Sequence, residues 1–193
     1  MTFERFSSWC AYLAAATGLA YSITFVATTD DDTRFGEGLE GAFLLAGGLL
    51  AVAVFAALYQ LVREREPGFA LLGLLLGVGG GFGAAIHGAY QLALAVEELS
   101  AEDLPNAIDP RGFLTFGVTG AAVALFASLL EGRLRVIGFV FAVLLGILWI
   151  GRLVGGDADD AALLAPAALA GLVANPLWYV LVGRRLARGD SAA

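Results

Sequence analysis

The sequence predicts an all-α protein, a polytopic transmembrane bundle of six helices with both termini in the cytoplasm. Three observations point there. Hydrophobic residues make up 59% of the 193 positions and charged residues 15%, with a mean hydropathy of +0.81, whereas soluble domains are about 45–50% apolar. The apolar residues gather into six runs, each close to the roughly 20 helical residues that cross a hydrocarbon core. The arginines alternate with the runs. With the N-terminus inside, Arg5, Arg63, Arg65, Arg133, Arg135, Arg184, Arg185 and Arg188 fall on the inner side, and only Arg34, Arg111 and Arg152 on the outer. This is the positive-inside asymmetry of multi-pass proteins.

The first run, near 8–29, follows a leader with one acid beside one arginine and is too long for a signal-peptide core, so it reads as a retained span. The second, 41–62, follows the acidic stretch "TDDDTRFGEGLE". The third, 69–96, contains Gly79-Gly80-Gly81; each glycine costs about 1 kcal/mol of helix propensity relative to alanine, so a bend or a tight crossing is expected there. The fourth, 113–130, follows "EELSAEDLPNAIDPRG", and the fifth, 136–154, follows "EGRLR". The sixth, 161–182, carries Asn175-Pro176. Pro176 lacks a backbone donor and its ring obstructs the carbonyl of Leu172, so a helix kink is expected at Asn175 and Pro176, with the Asn175 amide placed to bond a freed carbonyl. The connections are too short for a soluble domain. Residues 1–193 form one transmembrane domain, expected in the cell membrane as a multi-pass protein.

The outer acids include Asp30, Asp31, Asp32, Glu37, Glu40, Glu97, Glu98, Glu102, Asp103, Asp109, Asp157, Asp159 and Asp160, and they read as solvated loops. The net charge of −7 excludes nucleic acid as a partner, because phosphate binding needs a basic face. One cysteine and one histidine exclude an internal disulfide, bis-histidine haem and the usual zinc or di-iron sites. No G-x-S-x-G elbow is present, and a Ser-His-Asp triad has no acid within a span to complete it. No catalytic residue, metal or cofactor is expected, and the chain is not expected to be an enzyme.

Helices already in lipid gain little from the hydrophobic effect on meeting, so they associate through small residues that let backbones approach. Four stripes spaced by four residues fit that role: Ala14, Gly18 and Ser22; Gly73, Gly77 and Gly81; Gly138, Ala142 and Gly146; Ala167, Gly171 and Asn175. They are expected to pack the bundle, or to join it to a second copy or another membrane subunit. Membrane lipid is the remaining partner.

Polar residues deep in the spans single out one candidate site. His87, Tyr90 and Gln91 on the third span, Trp149 and Arg152 on the fifth, and Tyr21 and Thr24 on the first all fall in the outer half of the membrane when depth is counted along the helices. His87 shares a stripe with Gly79 and Gly83, which leaves a gap beside the ring that either a neighbouring helix or a ligand fills. One reading makes His87 a packed, hydrogen-bonded ring and Arg152 a snorkelling side chain paired with Asp157 or Asp160. The other has the seven residues line an outward-facing cavity for a small amphipathic or anionic ligand, with Arg152 matching its charge, His87 able to change protonation and aromatic rings forming apolar walls.

The ending Pro176, Trp178-Tyr179, Gly183-Arg184-Arg185-Leu186 resembles the C-terminal end of uncharacterised prokaryotic integral membrane protein families with about six helices. The resemblance covers about a dozen residues and implies a multi-span fold but no activity. The expected role is therefore a structural or accessory membrane subunit, with binding or passive transport of a small ligand as the alternative.

Overall fold

The computed structural model describes residues 1–28, 34–97, 108–155 and 161–189. Among these, six helical segments are long and apolar enough to cross a membrane. Spans one to three are single helices, Phe3–Thr28, Arg34–Val62 and Pro67–Glu97, and span five is Gly132–Leu153. Span four joins a 3-10 turn, Pro110–Gly112, and a π turn, Phe113–Val118, to the helix Thr119–Leu129. Span six joins Ala161–Ala168 through a second π turn, Leu169–Ala174, to Asn175–Ala187.

Several helices outrun their apolar runs. Span two begins at Arg34 rather than near 41, and its 29 residues rise about 43 Å, the thickness of a bilayer with its headgroups rather than of the hydrocarbon alone. Hydropathy marks where the oil is; the helix continues until water can satisfy its backbone. Span three runs without interruption through Gly79–Gly81.

Both termini lie at one end of the bundle. The Ser8 hydroxyl donates to the Gly183 carbonyl at 2.9 Å, and at this same end Arg65, after span two, pairs with Glu131, before span five, at 2.9 Å. We call this the near end, and the end holding His87, Asp109 and Arg152 the far end. The acidic clusters Asp30–Asp32 and Asp157–Asp160, the segment 98–107 and the tail 190–193 lie outside the described residues.

The small-residue stripes are used inside the chain. On spans two and three, Gly41 meets Gly88 and Gly48 meets Gly81, so that a Cβ on either member of each pair would press on the other's carbonyl oxygen. One helical repeat further along, Phe55 lies against Gly77 and stacks on Phe126 with ring centres 5.9 Å apart. Spans one and six make an antiparallel seam in which the Asn175 amide sits on Gly18 and the Ser22 hydroxyl on Gly171. Gly138 receives the buried Trp178 ring, whereas Gly146 faces open space. Leu75, Val143 and Ile150 stay exposed on the perimeter, as side chains bathed in lipid should.

Candidate ligand cavity

The spans enclose a cavity of about 310 Å³ to which all six contribute. Its walls are mostly apolar, with Phe55, Phe141, Leu145 and Leu148 among them, and its polar residues gather toward the far end: Tyr21, His87, Gln91, Thr115 and Arg152. That combination is typical of small-molecule sites, which occupy about 300–1,000 Å³ and carry a few placed polar groups in an apolar lining.

Asp109 organises the far end. Its side chain is fully buried, and its carboxylate accepts from the Leu114 N–H at 2.6 Å, the Thr115 N–H at 3.1 Å and the Thr115 hydroxyl at 2.6 Å. The first turn of a helix offers amide donors without partners, and a carboxylate there also meets the positive end of the helix dipole. The chain can double back to deliver it because Arg111 and Gly112 both adopt left-handed backbone angles, with φ of 55° and 71°. His87 Nδ1 lies 3.9 Å from Asp109 Oδ2, too far for a hydrogen bond but within reach of an ion pair whenever the ring is protonated.

This corrects the view of the acids as solvated loop residues. Asp109 is 0% exposed and Glu40 6% exposed, so two carboxylates belong to the interior of the far end. Asp109-Pro110 ahead of an apolar run is an N-cap signal followed by proline at the first helical position. That signal would have placed Asp109 in the site.

Three further polar atoms at this end are buried with no hydrogen-bond partner: His87 Nδ1, Gln91 Oε1 and Arg152 Nε. Tyr21 lies within the electrostatic reach of Glu40 and Arg152, and His87 within that of Asp109 and Arg152. An unsatisfied polar group away from water costs on the order of several kcal/mol in hydrocarbon. Three such atoms converging on one cavity therefore form a surface that favours a polar occupant.

Of the seven residues expected to line a site, the structure brings Tyr21, His87, Gln91 and Arg152 to the cavity. It places Thr24, Tyr90 and Trp149 elsewhere. The Thr24 hydroxyl donates to its own helix at the Ala20 carbonyl, 2.8 Å away; Tyr90 is 40% exposed; and Trp149 packs on Phe113, with ring centres 5.4 Å apart, and covers Gly117. Depth along a helix put all seven at similar levels, but direction around the axis separates them. Leu114, from the π turn of span four, packs on Gly83, so a neighbouring helix fills the gap beside His87 on that side. Asp157 and Asp160, the expected partners of Arg152, lie outside the described residues. Asn175 opens the final helical segment directly after the π turn, so the irregular backbone of span six precedes Pro176. No family model, curated protein or solved structure matches the chain. The chemistry of the cavity rests on its own side chains.

Proposed function

We propose that this multi-pass membrane protein binds a small amphipathic anion, with the charged head against Arg152, His87 and Gln91 and the apolar body among Phe141, Leu145 and Phe55. The supporting observation is the convergence of His87 Nδ1, Gln91 Oε1 and Arg152 Nε, all buried and unpartnered, on the polar end of an apolar cavity. Thr115 and Tyr21 complete the polar rim. The distribution of arginines supports a cell-membrane orientation with both termini cytoplasmic, which turns the far end and the polar rim outward.

The test is binding to protein in nanodiscs of uncharged lipid, with dodecanoate, dodecyl phosphate and dodecanol as probes. The two anions are expected to raise the unfolding temperature more than the alcohol, since a ligand at 100 times its Kd stabilises by about 2.7 kcal/mol. Arg152→Ala is expected to weaken anion binding by about 30-fold, corresponding to the roughly 2 kcal/mol lower bound for removing one member of a buried charged contact. If none of the three probes binds, the structural or accessory role becomes the better reading, with His87 and Arg152 acting only within the bundle.

A further inference from the structure

We infer that the cavity is loaded sideways from the bilayer, through a gap between spans one and six at the far end, and that its occupant is a straight-chain lipid anion drawn from that leaflet. This rests on the binding reading above.

Among the described residues that line the cavity, only two are exposed on the outside of the bundle: Val26 of span one, at 50%, and Leu164 of span six, at 39%. Each touches the cavity on one side and the surroundings on the other, so the wall between them is a single side chain thick. Both belong to the same pair of adjacent spans, near the same end. Below them that pair is tightly closed, by Asn175 on Gly18 and by Ser22 on Gly171.

The other seams are sealed. Gly41–Gly88 and Gly48–Gly81 bring the backbones of spans two and three together, Thr119 and Leu114 of span four pack on Gly80 and Gly83 of span three, and Trp149 of span five covers Gly117 of span four. Between spans five and six, Leu163 covers Gly151.

The order of chemistry along the cavity matches a lipid lying in the far leaflet. Arg152 ends span five at the far end, and Phe141 lies eleven residues, roughly 16 Å, deeper toward the near end. A leaflet lipid holds its head outward and its chain inward. It therefore slides between spans one and six without turning over or leaving the bilayer, whereas a water-borne solute would gain nothing from a gap that faces lipid.

The test uses the full chain in vesicles of uncharged phosphatidylcholine and parinarate, a fluorescent straight-chain carboxylate, read by energy transfer from the tryptophans in stopped flow. Val26→Trp and Leu164→Trp narrow the gap and are expected to slow association and dissociation together by about tenfold, within the one to three decades over which association rates vary among variants of one site, with Kd held within about threefold. Val26→Ala and Leu164→Ala widen it and are expected to speed both rates, which keeps the proposal testable should a tryptophan variant fail to fold. Rates unchanged in both directions, with binding intact and lost in Arg152→Ala, would overturn the lateral route and leave the binding reading standing. Absence of parinarate binding to the parent chain would overturn both.

Discussion

Asp109→Ala is expected to lower the thermal stability of the detergent-solubilised protein by at least about 4 kcal/mol, since hydrogen bonds to a charged group contribute roughly 1.5–3 kcal/mol each and this carboxylate accepts three. The loss is concentrated in the folded state, where the Leu114 and Thr115 amides would be left buried and unpartnered. Asp109→Asn separates charge from hydrogen bonding. Its amide oxygen still accepts, but its NH2 would oppose a backbone donor, so an intermediate loss is expected. A midpoint unchanged in both variants, measured by tryptophan fluorescence on heating, would show that span four starts without this cap.

Gly48→Ala is expected to destabilise the bundle although it adds one methyl group to a helix. A Cβ there would stand 2.5 Å from the Gly81 carbonyl oxygen and 2.7 Å from the Ala85 nitrogen, both backbone atoms that cannot rotate away. Overpacking of that kind costs about 1–3 kcal/mol, against a propensity gain of about 1 kcal/mol. Pairing it with Gly88→Ala, whose Cβ would meet the Gly41 carbonyl oxygen and the Leu45 nitrogen at 2.5 Å, is expected to separate spans two and three along their length and abolish recovery of folded protein. Gly146→Ala has open space around it and is expected to hold or raise stability. A loss of stability in Gly146→Ala equal to that in Gly48→Ala would assign both effects to propensity rather than contact.

The six spans were legible because lipid imposes a length and a composition that few other environments do, and apolar runs record both. The seam of Gly18, Ser22, Gly171 and Asn175 was legible for a related reason, since small residues spaced by four have few uses besides close helix contact. His87 and Arg152 stood out as polar groups in apolar runs, and the cavity contains both. What the pattern did not carry was azimuth. Tyr90 lies between His87 and Gln91 in depth yet points outward, because the direction of each face depends on how span three is rotated against its neighbours. Asp109 was obscured differently: a lone acid in an acidic connection looks solvated until the backbone turn at Arg111 and Gly112 carries it beneath the first amides of span four.

The two π turns, at Phe113–Val118 and Leu169–Ala174, each fit one residue more into a turn than an α-helix would hold. Removing one residue from Leu169–Ala174 would leave a helix of ordinary geometry while swinging everything after it by about 100°. Asn175 would then leave Gly18, and Tyr179 would leave the cavity. Chain length in this segment is thus under tighter constraint than side-chain identity, and substitutions there should be tolerated at positions where deletions are not.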